Sequence, residues 1–339
     1  MADELIADLN RPLRSGVPKV AVAGYARWWQ IETFLREVVY TELRAKYGSA
    51  WTEHLNPRVP NRAERDRINS YMASADANDM LAYADTSVLF ELIGENWELF
   101  EEELPPEQRW SGMTDTMLAI RHRIAHCRRP HRDDLARLEQ WLRDLEVGAR
   151  VFYGAYVSTR DDLTKRKDRV VKDWIGKRHE AADRLIEHCE RKYDTRFRLS
   201  YSVRPWAQRP DAGKPINGEP GVLWHADWVL GSRELDLARF WKSLPKSTQD
   251  LCLHVLVGPF SVTATFAAVE DPAAVSEAMA GVFESTIQNS RQMRNEEGSD
   301  DWLARLEASA EELPAKVSYN SAFSLFDTYD PEAFSIFSA

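Results

Sequence analysis

The feature that most constrains this fold is a change of hydrophobic period near residue 195. Before it, apolar side chains recur at helical spacing; after it, they alternate. Between about Val20 and Tyr47, Trp28, Ile31, Leu35, Val38, Val39 and Leu43 mark one face of a long helix that stops at Gly48. Asn61, with Glu64 three residues on, reads as the cap of a second helix through about Met72. Leu89, Leu92, Ile93, Trp97 and Phe100 predict a third over 86–103, ended by Pro105 and Pro106. Met117, Ile120 and Ile124 predict a fourth over 111–127, and Leu135, Leu138, Trp141, Leu142 and Leu145 a fifth from about Arg132.

Downstream, residues 158–194 carry mixed charge on every side and read as one polar connector helix. Alternation then predicts strands over 197–203, 222–230, 251–257 and 260–268, in a mainly antiparallel sheet. Trp224 and Trp228 fall on the core face of the second strand, with His225 and Asp227 on the wet face. Helices over 271–293 and 300–312 follow, then an aromatic segment with Phe323, Phe326, Tyr329, Phe334 and Phe337. The fold class is therefore α+β. A flexible lead-in (1–18), an all-α bundle (19–157), the connector (158–194) and an α+β domain (195–339) make up the chain.

Length and composition agree with two cores: 339 residues suffice for two domains, and the 12 tryptophans divide equally about residue 150. Three dispersed cysteines, Cys127, Cys189 and Cys252, form neither a disulfide framework nor a metal knuckle. Neither a spanning apolar stretch nor the apolar run of a signal peptide is present, so a soluble, cytoplasmic chain without membrane contact is expected.

A net charge of −10 argues against a protein that coats nucleic acid by bulk charge. Its distribution is uneven. Residues 151–250 carry 20 basic and 15 acidic groups, whereas residues 251–339 carry 4 and 14. Asp85–Glu107 holds eight acids and no base; Thr116–Arg132 holds five arginines, three histidines and no acid. An anion would bind in that basic stretch.

No glycine-rich phosphate loop, HExxH, GxSxG or dinucleotide fingerprint occurs. The chemistry-bearing candidate is RHRIAH, Arg121–His126, late in the fourth helix. His122 and His126 share a helical face, while Arg121 lies about 140° from His126. A guanidinium spans that angle near a helix end or from a second chain. Alternatives are a solvated basic helix end, or a metal site needing a third ligand such as His131. Glu32 and Arg36, four apart in the first helix, read as an intrahelical ion pair or as polar groups near a cleft.

WWQIETFLREVVYTELRAKYGSAW, VLFELIGENWELF and MLAIRHRIAH together resemble the HEPN superfamily, in its RNA-surveillance and defence branch, over roughly residues 20–150. The family signature, Arg, a polar residue, a short spacer and His, is met by Arg121, His122 and His126. Arg128 stands where the toxin subgroup's His-x-Tyr motif has tyrosine. The resemblance implies a helical bundle that dimerises to join two motifs in one cleft, and a metal-independent endoribonuclease needing no cofactor.

Those residue types suit that chemistry. Histidine serves as acid or base near neutral pH, and arginine holds a phosphate bidentately. The expected roles are general acid/base for His126, a phosphate clamp for Arg121 and an assisting role for His122. Arg123, Arg128, Arg129 and Arg132 are expected to contact RNA backbone phosphates. The resemblance implies a setting in stress response or antiviral defence. A non-catalytic adaptor that uses the bundle to dimerise and bind RNA or protein is the competing expectation. The C-terminal domain is expected to recognise, position or regulate, through a protein or a ligand.

Overall fold

The computed structural model describes residues 16–68, 79–231, 233–258, 260–292, 305–306, 308–310 and 313–319. Most of the lead-in, most of the 300–312 segment and all of the terminal aromatic segment lie outside these residues.

Helix α1 (Lys19–Tyr47) is the spine of the N-terminal half, with Ile31, Phe34, Leu35, Val38, Val39 and Leu43 fully buried. Helix α2 (Arg58–Ile68) starts earlier than Asn61 predicts. The Asn56 side chain accepts the Arg58 N–H at 3.0 Å, and Pro60 sits in the first turn, where no helical N–H is needed. Residues 69–72 of that expected helix are outside the described set.

Helix α3 (Thr86–Glu95) stops short of residue 103, because the Asn96 side chain donates to the Leu92 carbonyl at 3.0 Å and a short 3₁₀ turn (Trp97–Leu99) follows. Helices α4 (Glu107–Ala125) and α5 (Asp134–Val157) complete the helical half. Gly148 on α5 is a point of close approach: a Cβ there would lie 1.8 Å from the Glu103 carbonyl oxygen.

The predicted connector helix is not present as one helix. Residues 158–194 hold two helices, α6 (Arg169–Trp174) and α7 (Glu180–Tyr193), separated by a turn in which Lys177 adopts a φ of 52°. Helix α6 ends where the Gly176 and Arg178 N–H groups fold back onto the Val171 and Lys172 carbonyls, at 3.0 and 3.2 Å, and its start has a cause remote in sequence. The buried Asp168 carboxylate accepts the backbone N–H groups of Ile216 and Asn217 at 2.5 and 2.8 Å, which pins the chain before α6. Nor is the segment polar all round, since Val170, Val171, Trp174, Ala182, Ile186 and Cys189 join the second core.

Strands β1 (Arg196–Val203), β2 (Val222–Val229), β4 (His254–Gly258), β5 (Ser261–Ala267) and β7 (Val317–Tyr319) form a sheet in the order β1-β2-β5-β4-β7. Its pairs are antiparallel except β4 with β7. Strands β3 (Arg233–Leu235) and β6 (Ser290–Gln292) make a separate antiparallel pair. Helices α8 (Leu237–Ser243), α9 (Lys246–Leu251) and α10 (Pro272–Gln288) follow in turn.

Both faces of the large sheet are covered. Trp224, Trp228, Val262 and Phe266 pack in a core with residues of α6, α7 and α10, while Leu223, Leu253 and Ala267 belong to the core of the helical half. The predicted wet face of β2 is therefore a packed interface. His225 is 3% exposed, with Ser202 Oγ 2.7 Å from its Nε2 and Thr265 Oγ1 3.0 Å from its Nδ1. Asp227 is only partly covered and accepts from Thr263 at 2.8 Å.

Polar side chains extend this contact. Tyr156 of α5 donates to Thr265 at 2.7 Å and meets His254 Nδ1 at 3.0 Å, while Glu37 of α1 pairs with His254 Nε2 at 2.6 Å. Beside it, the buried Arg204 guanidinium bonds the carboxylates of Glu42 and Glu103, each at 2.7 Å. Trp206 donates to the other Glu42 oxygen at 2.6 Å.

Candidate active site

Arg121, His122 and His126 lie at the end of α4, and the way that helix terminates decides how they are presented. His126 is the C-cap, with φ −101° and ψ 17°. Cys127 then takes the left-handed conformation, φ 51°. Its N–H donates to the Ile124 carbonyl at 3.1 Å and that of Arg128 to the Arg123 carbonyl at 2.8 Å. These two bonds define a Schellman stop, which satisfies the last carbonyls and turns the chain sharply. Cysteine occupies the position that glycine usually takes.

The turn is braced from the next helix. Arg123 donates from Nε to Asp134 Oδ2 at 2.7 Å and from Nη2 to Oδ1 at 2.5 Å, and the His131 N–H donates to Oδ2 at 2.9 Å. Burial alone would raise the Asp134 pKa. The bonds from Arg123 and His131 outweigh it and hold the carboxyl below its ordinary value.

Arg123 is thus committed to Asp134, against the expectation that it contacts phosphate. Its role is to hold the motif turn. Asp134 is the residue that reading the sequence missed. Its signal was an acid opening a helix directly after a run of cations.

Both histidines are exposed, and their rings lie nearly parallel, 15° apart with centroids separated by 6.0 Å. Arg121 is half-buried one position before His122. Among the described residues, the side chains of Arg121, His122, His126, Arg128 and Arg129 make no hydrogen bond or ion pair. Arg132 is exposed and lies 3.6 Å from Asp133. Exposed imidazoles, a guanidinium without a counter-charge and a negative helix end that favours cations therefore occur together at the end of α4, with Arg121 about 100° to 140° round the helix from the two histidines. The arrangement can take and return protons beside an anion.

The N-terminal part of α1 lies at the same end of the bundle, because Gly24 faces Leu138 near the start of α5. Tyr25 and Trp29 are each more than half exposed there. Glu32 and Arg36 form the expected intrahelical pair, but Glu32 also accepts from Trp28 Nε1 at 2.9 Å and from Thr86 at 2.7 Å. The pair therefore ties α1 to the start of α3.

Residues 30–146 match the family described as Swt1-like HEPN. This segment is a HEPN domain. It runs from within α1 to within α5 and contains Arg121, His122 and His126. No curated protein and no solved structure shows significant similarity to the chain. At the family level the HEPN domain carries a nuclease-type or other HEPN-mediated function. Among the described residues, no helix is long and apolar enough to cross a membrane, and no three His, Cys, Asp or Glu side chains are grouped to hold a metal.

Proposed function

We propose that this protein is a metal-independent endoribonuclease acting as a dimer, with Arg121, His122 and His126 of the HEPN domain as its reacting groups. The observation that carries this reading is the pair of exposed, parallel imidazoles at a braced helix end, which also carries an Arg121 guanidinium that has no counter-charge among the described residues. One histidine takes the proton of a ribose 2′-hydroxyl, whose oxygen attacks the adjacent phosphorus. The P–O5′ bond breaks, and a second imidazole protonates the departing 5′-oxygen. Arg121 holds the phosphorane as charge accumulates. The products are a 2′,3′-cyclic phosphate and a 5′-hydroxyl.

His126 carries the acid/base role, His122 assists, and a second copy of the motif supplies the remaining groups. Arg128, Arg129 and Arg132 contact backbone phosphates, which gives affinity without sequence preference. A cytoplasmic place in stress response or antiviral defence, as a toxin-like nuclease, is the setting proposed by analogy with the family. The α+β part selects RNA or receives a regulating ligand or protein.

The test is direct. The full chain, incubated with single-stranded RNA in EDTA, should cleave it to cyclic-phosphate ends and sediment as a dimer. His126→Ala should lower cleavage by about 100- to 10,000-fold with little change in RNA affinity. Salt-sensitive binding without cleavage by the unaltered chain would overturn the nuclease reading in favour of the adaptor.

A further inference from the structure

About 24 Å along α5 from Asp134, counting sixteen residues to Arg150 at 1.5 Å each, a second basic feature stands apart from the motif. The C-terminal end of α5 and the segment after β1 enclose an open groove of about 480 Å³. Three arginines line it, Arg150, Arg160 and Arg209, together with Ser158 and small residues including Gly154 and Ala207, and no acidic residue does.

Arg150 is paired with Glu146 at 2.7 Å. Arg160 and Arg209 differ from it, since neither side chain has a hydrogen bond or ion pair among the described residues. Arg160 is only partly exposed. A guanidinium without a counter-charge in the protein keeps its N–H donors open to a ligand anion.

The walls of the groove are fixed before any ligand arrives. The backbone of Arg160 exchanges two hydrogen bonds with Tyr201, at 2.7 and 2.9 Å, so its position is set while its guanidinium remains available. The opposite wall follows the buried Arg204 anchor and is held by Trp206 on Glu42. It is closed by the Ala207 N–H on the Arg204 carbonyl at 3.0 Å. Guanidinium forks on a rigid frame, with small residues that allow close approach, match tetrahedral phosphate oxygens.

We propose that this groove is a phosphate-binding subsite for a nucleotide unit, with Arg160 and Arg209 as its principal ligands. The phosphates come either from a free nucleoside polyphosphate or from the RNA chain cut at the motif, and only the second source rests on the nuclease reading. In the first case the groove senses a nucleotide through the frame that joins β1 to the HEPN domain. In the second it holds a remote stretch of substrate.

The experiment is fluorescence anisotropy on the full chain with two labelled probes, a nucleoside triphosphate and a single-stranded RNA, over a range of salt. Arg160→Ala and Arg209→Ala should each weaken binding of at least one probe by about tenfold, and the double variant further. A loss confined to the triphosphate assigns the groove to free nucleotide. A loss on RNA, with a salt slope smaller by about one for each arginine removed, assigns it to chain phosphates. Undiminished affinity of the double variant for both probes overturns the proposal, as does failure of the unaltered chain to bind either. Cleavage by the double variant at saturating RNA is scored separately, so failure of the active-site assignment and failure of the groove give different results.

Discussion

The Arg123 guanidinium grips both oxygens of the Asp134 carboxylate, at 2.7 and 2.5 Å, and so bridges the turn on which His126 sits. This clamp makes the motif a presented surface and not merely a helix end. Asp134→Asn keeps the shape but removes the charge, and should cost about 1–3 kcal/mol of stability and a larger share of cleavage than of RNA affinity. Arg123→Lys should fall between, because an ammonium cannot bond both oxygens in the same plane. Thermal melting and single-turnover cleavage check both. The folded Asp134 pKa lies below its unfolded value, so the clamp's contribution is present above the unfolded value and is lost only as pH falls through the folded one. Loss of cleavage at a higher pH than that belongs to other groups.

Cys127 supplies a prediction of opposite sign. A side chain in the left-handed region costs about 1–2 kcal/mol, part of which glycine recovers against its own greater backbone entropy. Cys127→Gly should therefore raise stability by about 0.5–1 kcal/mol and leave cleavage unchanged, measured by the urea midpoint and the cleavage rate. A β-branched replacement such as Cys127→Val should lower the midpoint.

How much of this was legible in the sequence depended on the range of the deciding contact. The α4 motif and the apolar face of α1 were readable because their signals repeat within a few turns. Residues 158–194 were not, since Asp168 sets where α6 begins by bonding N–H groups nearly fifty residues away, and a left-handed Lys177 ends it. His225 misled for a related reason. Period-2 alternation shows that a strand has two faces, but not that α1 and α5 cover the second. Arg123 looked like its neighbouring cations until Asp134 came within reach across the turn.

The buried His225 gives a pH dependence with a definite sign. Burial, reinforced by nearby His254 and Arg204, holds its pKa down to about 3, so it stays neutral between Ser202 and Thr265. A depressed folded value contributes stability that is present above the unfolded value near 6.5 and lost as pH falls toward the folded one. The chain should accordingly lose up to about 4 kcal/mol between pH 6.5 and 3 from this group. His225→Gln should flatten that part of the urea-midpoint profile. An unchanged slope would show that the acid loss arises elsewhere.

The Arg204 cluster joins the sheet to the HEPN domain, and its charges do not balance: two buried carboxylates share one guanidinium. Burial, and then repulsion from Glu42, push the Glu103 pKa well above its ordinary range, against the opposing pull of Arg204. The raised value means that this group's contribution is full below the unfolded pKa and is lost as pH rises through the folded one. Glu103→Gln carries the proton permanently, so it should cost less than about 1 kcal/mol and reduce the alkaline loss of stability. Arg204→Met strands both carboxylates and should cost about 3–5 kcal/mol. Urea denaturation of the two variants at pH 6 and pH 9 separates the effects. If Glu103→Gln kept the full alkaline decline, the proton would not reside on Glu103, and another group would have to balance the cluster.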